Sequence, residues 1–358
     1  MLKRTYLTPN DSYICFAVSL FAFLSVSFFG GICIMVFASA KNSILLIFTM
    51  LSTLALAVAP SLYFNVYRVD IVKATRLKDK PKLLPTLAGI ITVIGLVAVM
   101  MPIVIFFNKL LVGAGASEPS VELPINLDTI WGILLAVLAV CILPAICEEF
   151  LLRGVVARGL SRFGIVWASI ISGVLFMLMH MNVAQTLYQF AFGAILGYIA
   201  LSGGGIWLCV ILHFFNNFLA LLLDILMPLA VQETVFVTCW YITIPVGLVI
   251  MALGILFYLK TNVYSFDKNE ELNALQSNID NVEALKQAQN TAQPSRLIIN
   301  TKTEIYPDLI NAEPQNNLDR TTFYLQKPEL SKPSLGAKIF FGLSVIICVV
   351  MWISTLFI

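Results

Sequence analysis

Hydrophobic runs of about 20 residues recur along the chain, separated mostly by short polar connections. Because a helix needs about 20 apolar residues to cross a bilayer, each run predicts a transmembrane helix. The predicted spans cover residues 13–38, 43–66, 84–107, 128–160, 164–181, 184–201, 204–226, 234–259 and 337–357. The fourth run is too long for one simple crossing, so we expect Pro144 to kink it and residues 147–160 to continue as a tilted or interfacial helix. The pattern predicts an all-α, polytopic transmembrane helix bundle of about eight to nine spans.

The segment 260–336 breaks this pattern, because it is rich in Asn, Gln, Thr, Pro and charged residues. Such a composition predicts a polar, partly disordered cytoplasmic segment. Within it, residues 267–292 have apolar positions at helical spacing, which predicts an amphipathic helix. We therefore expect the segment to offer a site for a cytoplasmic partner.

Composition agrees with a membrane protein: 59% of the residues are hydrophobic, 12% are charged, and the mean hydropathy is +0.91. Soluble domains have about 25% charged residues. Lys3, Arg4, the connection 68–82, Arg158 and Arg162 fall on one predicted side, which the positive-inside rule makes cytoplasmic. The chain has no basic aromatic patch, which excludes nucleic-acid binding. Its seven cysteines form no Cys-x-x-Cys pair and are expected to be buried free thiols.

Three ionisable residues lie together in the fourth span, Glu148, Glu149 and Arg153. Charged groups inside a hydrophobic span are costly, so their presence predicts a functional site. Glu149 and Arg153 are four residues apart and face each other on a helix, which predicts a structural ion pair. Glu148 points elsewhere and lacks this partner, so we predict that it acts as a base.

The only two histidines, His180 and His213, also lie in apolar helical runs. Each has a distinctive neighbour one helical turn away on the same face, Phe176 before His180 and Asn217 after His213. Interhelical hydrogen bonding is the structural alternative for the second pair. Further polar candidates for the same cavity are Gln185, Tyr188 and Gln189.

Helix lengths predict that these residues meet near the middle of the membrane. Glu148 and His180 lie on either side of the turn near Arg162, at similar depths of roughly 21–26 Å along their helices. His213 is closer to its own turn at Gly203 and is shallower unless its helix is offset.

In order and completeness, these motifs resemble the CPBP intramembrane protease family, which includes CAAX prenyl endopeptidases and bacteriocin-processing relatives. The family pattern is E-E-x-x-x-R, then F-x-x-x-H, then H-x-x-x-N. The resemblance covers about residues 128–220. It implies a division into N-terminal transmembrane helices (1–127), a catalytic CPBP-like transmembrane core (128–226), a further transmembrane helix (227–259), the polar segment (260–336) and a C-terminal transmembrane helix (337–358).

The resemblance also implies residue roles. Glu148 and His180 would activate a water, while His213 and Asn217 would stabilise the oxyanion. Glu149 and Arg153 would hold the architecture, with Phe176 in support. The family is described both as metalloproteases and as glutamate-type proteases, so Glu148, His180 and His213 could instead bind zinc. Because the chain has no H-E-x-x-H motif, we favour water activation without a tightly held metal.

The sequence therefore predicts an intramembrane endopeptidase in a prokaryotic plasma membrane. Its substrate would be a membrane-associated peptide, a prenylated or otherwise lipidated protein, or a small peptide precursor. Two alternatives stay open: a non-proteolytic scaffold or bacteriocin-immunity protein, and a proton-coupled transporter. The family resemblance implies a cavity that opens to the cytosol, whereas the charge pattern places His180 nearer the opposite side.

Overall fold

The structure is a computed structural model, and it describes residues 4–116, 125–227, 231, 234–261 and 333–357. The predicted amphipathic helix and nearly all of the polar segment lie outside these residues. Within these residues every secondary-structure element longer than an isolated β-bridge is a helix. The helices are α1 (Pro9–Val36), α2 (Lys41–Val66), α3 (Ile71–Ala74), α4 (Leu83–Gly113), α5 (Ile130–Phe163), α6 (Ile165–Met179), α7 (Thr186–Ile199), α8 (Gly205–Leu226), α9 (Trp240–Thr261) and α10 (Leu335–Ser354).

Across the described ranges, seven helical runs are long and apolar enough to cross a membrane, fewer than the eight to nine predicted. The difference comes from the middle of the chain. Helix α6 is apolar but shorter than the other candidates. Helices α7 and α8 follow each other directly within residues Val183–Leu226 and are counted together as one run. The chain bends between them at Gly203 and Gly205, both of which have positive φ. The fold is therefore a polytopic helix bundle, as predicted.

Helix α5 differs from the prediction of a simple kink at Pro144. Two stretches of π-helix interrupt it, Val137–Ile142 before the proline and Phe150–Ala157 after Glu149. A π-turn holds one extra residue and rotates the side chains that follow it, and such turns are frequent at functional sites. The irregularity in α5 thus brackets the two glutamates.

One end of the bundle gathers the basic connections. The Arg4 backbone pairs with that of Arg68 and Asp70, with N···O distances of 2.9 and 2.7 Å. The indole of Trp207, at the start of α8, donates to the Leu77 carbonyl at 2.7 Å. Ser334, which caps α10, donates from its backbone N–H to Asn10. The ends of several helices therefore meet at this basic end of the bundle.

The α6–α7 hairpin begins at the basic end. Helix α6 has 15 residues and α7 has 14, so each is about 21–23 Å long. Its tip is held by the C-terminal end of α10: Trp352 donates to Thr186, and Thr355 accepts from the Val183 N–H. His180, at the tip, therefore lies away from the basic end.

Candidate active site

A buried charge pair in α5 forms the base of the site. Arg153 Nη1 donates to Glu149 Oε1 at 2.6 Å, and both side chains are 0% exposed. A second guanidinium nitrogen, Nη2, donates to the Gly193 carbonyl of α7 at 2.8 Å. A guanidinium can serve two acceptors at once because its donors point in fixed directions. The pair therefore ties α5 to α7 and neutralises a charge that could not otherwise be buried.

His213 of α8 contacts the same carboxylate oxygen. Its Nδ1 lies 2.7 Å from Glu149 Oε1, and the residue is 2% exposed. A carboxylate that is paired with a guanidinium accepts hydrogen bonds, so Nδ1 carries the proton. Glu149 thus orients the imidazole and places its proton on Nδ1. Sequence analysis missed this contact, because no spacing rule relates Glu149 in α5 to His213 in α8.

The ring of Phe176 contacts both histidines. Its centroid lies 4.6 Å from the His180 ring and 5.7 Å from the His213 ring, both edge-on. Arg153 stacks over the same ring at 4.9 Å. Phe192 contacts the His213 ring at 5.6 Å. These apolar contacts lower the local polarity around the imidazoles and the guanidinium, which strengthens their electrostatic interactions.

His180 follows the last residue of α6 and is half-buried. Its Nδ1 lies 2.9 Å from the Phe176 carbonyl. Since a carbonyl only accepts hydrogen bonds, Nδ1 is the donor, and Nε2 of the neutral ring keeps a lone pair. The ring is near enough to Glu148 and His213 for their charges to interact with it. His180 can therefore take up a proton at Nε2.

Within the described residues, Glu148 has one buried oxygen without a hydrogen-bond partner, as does Glu149 at its Oε2. Glu148 Oε2 is buried, and no hydrogen bond reaches it from the part of the chain that the structure describes. The same atom lies 3.9 Å from His213 Nε2. This is longer than a direct hydrogen bond but short enough for one water to contact both atoms. Glu149 Oε1 accepts from Arg153 and His213, whereas Glu148 Oε2 accepts no hydrogen bond from the described residues; that Glu148 acts as the base stays a prediction.

Asn217 is turned towards α5. Its Nδ2 donates to the Val140 carbonyl at 2.9 Å, and its Oδ1 accepts from Asn216 Nδ2 at 3.1 Å. The Val140 carbonyl belongs to the first π-helical stretch of α5, so Asn217 binds the irregular part of that helix. One hydrogen of its amide remains for another partner.

The structure thus brings His213, Phe176 and both glutamates into contact distance, and the His180 ring lies against the same Phe176 ring. It does not arrange Glu148, His180 and His213 as a metal site: among the described residues, no group of three His, Cys, Asp or Glu side chains is placed to hold an ion. The possible binding of zinc by Glu148, His180 and His213 stays a prediction.

The comparisons with known proteins point to the same stretch of chain. Residues 130–219 match the Rce1-like family model, described as type II CAAX prenyl endopeptidase Rce1-like. The match covers about a quarter of the chain and contains every motif residue of the site, from Glu148 to Asn217. No curated protein and no solved structure matches the chain significantly. The Rce1-like match is to a protease family, which agrees with the resemblance seen in the motifs.

Proposed function

We propose that this protein is an intramembrane endopeptidase that hydrolyses a peptide bond in a prenylated, membrane-associated peptide. The observation that carries the proposal is the 3.9 Å separation between Glu148 Oε2 and His213 Nε2, at an oxygen that is buried and accepts no hydrogen bond from the described residues. A buried carboxylate oxygen without a donor is costly, and such ionisable groups cluster at functional sites. The Rce1-like match of residues 130–219 supports the reaction class.

In the proposed reaction a water lies between Glu148 and the histidines, and Glu148 accepts its proton as the oxygen attacks the substrate carbonyl. His180 assists at the same water, because its Nδ1 donates to the Phe176 carbonyl and leaves Nε2 as an acceptor. Glu148 then returns the proton to the leaving amine. The water thus supplies the OH of the new carboxyl group and the hydrogen of the new amine.

The oxyanion of the tetrahedral intermediate is stabilised by donors from α8. In this step His213 donates a hydrogen bond from a proton-bearing Nε2 to the oxyanion, while its Nδ1 stays bonded to Glu149 Oε1. Asn217 donates its second amide hydrogen, the first being held by the Val140 carbonyl. Fixed donors in a dry site stabilise developing charge strongly, because they need no reorganisation during the reaction.

The position of the site suits a lipid-anchored substrate. Glu148, Glu149 and His213 belong to helices long and apolar enough to cross a membrane, so we expect the reacting groups to be within reach of a peptide anchored in the bilayer by its prenyl group. The remaining partners that we propose are the bilayer itself and a cytoplasmic protein bound by the polar segment.

The test compares wild type with Glu148→Ala, reconstituted at equal amounts in lipid vesicles with a prenylated, internally quenched CAAX peptide. Wild type should cleave, and Glu148→Ala should lose about 100-fold or more in kcat, as expected when a general base is removed. In cells, a precursor that accumulates only in the variant would name the substrate, including a small secreted peptide precursor. If the variant retains wild-type function in cells and neither protein cleaves any peptide, the protein acts as a scaffold and the proposal is wrong.

A further inference from the structure

Tyr188 of α7 lies at the end of a hydrogen-bonded chain that leads to Asn217. Its hydroxyl donates to Asn216 Oδ1 of α8. Its ring stacks on Phe192, with centroids 6.0 Å apart and planes 22° apart, and Phe192 in turn contacts His213. The Tyr188 hydroxyl is therefore placed next to the site by packing, and not by chance contact at the surface.

The chain continues from Asn216 to Asn217 and ends on α5. Asn216 Nδ2 donates to Asn217 Oδ1 at 3.1 Å, and Asn217 Nδ2 donates to the Val140 carbonyl at 2.9 Å. Tyr188 can only act as the donor to Asn216 Oδ1 here, so it fixes which end of the Asn216 amide carries the N–H groups. Asn216 then fixes the Asn217 amide in the same way.

The two constraints on Asn217 agree with each other. The Val140 carbonyl requires the nitrogen of the Asn217 amide on the α5 side, and Asn216 requires the oxygen on its own side. A reversed Asn217 amide would place a carbonyl oxygen against Val140 and two amino groups against each other. Asn216 is 8% exposed, so water cannot easily replace a lost partner.

We propose that Tyr188 and Asn216 are positioning residues, which hold the Asn217 amide so that its second N–H points at the oxyanion. This inference rests on the proposed function, because it assigns Asn217 a role in the hydrolysis. Neither residue belongs to the E-E-x-x-x-R, F-x-x-x-H and H-x-x-x-N motifs. Each acts on the reaction through Asn217 and not by touching the substrate.

The main variant is Tyr188→Phe, which removes the hydroxyl and keeps the ring that stacks on Phe192. With the prenylated CAAX peptide in vesicles, kcat should fall about three- to tenfold, the value of one net hydrogen bond, while KM changes less than about twofold. Asn216→Asp is the second variant, since it still accepts from Tyr188 but cannot donate to Asn217. Its kcat should fall at least as far, again without a change in KM.

A double-mutant cycle separates positioning from a general loss of structure. If Tyr188 acts through Asn217, Tyr188→Phe should have no further effect on kcat in an Asn217→Ala background. The matched control is Tyr198→Phe, on the same helix and 37% exposed; it should leave kcat and KM unchanged.

Two results would overturn the inference: wild-type kcat in both Tyr188→Phe and Asn216→Asp, or an undiminished effect of Tyr188→Phe when Asn217 is already Ala. Failure of the proposed function looks different, because wild type itself would then not cleave the peptide. A variant whose melting temperature drops while kcat of the folded fraction stays at the wild-type value also counts against positioning.

Discussion

Replacing Glu149 by Gln should destabilise the fold by about 3–5 kcal/mol, the usual cost of leaving one charge of a buried pair without its partner. Glu149 and Arg153 are both 0% exposed. Arg153 Nη1 and His213 Nδ1 donate to the same oxygen, Glu149 Oε1, at 2.6 and 2.7 Å. A Gln side chain keeps one acceptor there but lacks the charge that both donors face.

Because Arg153 keeps other contacts, we expect the loss of stability in Glu149→Gln to lie towards the lower end of that range. Its Nη2 keeps the Gly193 carbonyl at 2.8 Å, and the guanidinium keeps the Phe176 ring at 4.9 Å. A desolvated cation–π contact contributes up to about 2 kcal/mol. Neither contact supplies a negative charge, so most of the loss should persist.

The assay is reversible unfolding in mixed detergent micelles, with Glu148→Gln as the matched control. Glu148 adjoins Glu149 in the chain, its side chain is 13% exposed, and its Oε2 has no hydrogen-bond partner in the described structure. Glu148→Gln should therefore change the free energy of unfolding by less than about 1 kcal/mol. If Glu149→Gln unfolds like wild type, or if Glu148→Gln is the less stable variant, the assignment of the two glutamates is wrong.

Two further predictions concern packing and metal. Gly193→Ala should lower the free energy of unfolding by about 1–3 kcal/mol, the usual range for overpacking. The new Cβ would lie 2.9 Å from a Phe176 ring carbon and 3.0 Å from Gly173 Cα. Thermal unfolding measures this loss, with Gly342→Ala as the control because a Cβ there meets nothing within 4 Å. Peptide cleavage should be insensitive to a zinc chelator, and one zinc per chain that His213→Ala abolishes would contradict the metal-free reaction.

Local spacing was enough to predict part of the site. The four-residue spacing in α5 predicts the contact between Glu149 and Arg153, which the structure contains at 2.6 Å. The same rule places Phe176 beside His180, and their rings lie 4.6 Å apart. These contacts lie within one helix or at its end, where geometry follows from sequence separation alone. The helix bundle followed from hydrophobic run length for the same reason.

Contacts between helices could not be predicted in this way. The bond between His213 and Glu149 depends on how α8 docks against α5, and no periodicity encodes that. The sequence predicted a kink at Pro144, whereas the structure has π-helical stretches before and after it, and Asn217 donates to the Val140 carbonyl in the first of them. An asparagine predicted from its motif position thus also contacts the backbone of α5.

Helix α1, which lies outside residues 130–219, also donates a hydrogen bond to backbone carbonyls near the site. The hydroxyl of Ser12 in α1 lies 3.3 and 3.2 Å from the carbonyls of Val155 and Val156, within the π-helical segment that follows Glu149. The fit is tight, because a Cβ on Gly159 would lie 2.0 Å from the Ser12 oxygen. Buried carbonyls need donors, and a membrane interior supplies none. Residues 130–219 therefore carry the reacting groups, while α1 supplies a donor to the π-segment that follows the two glutamates.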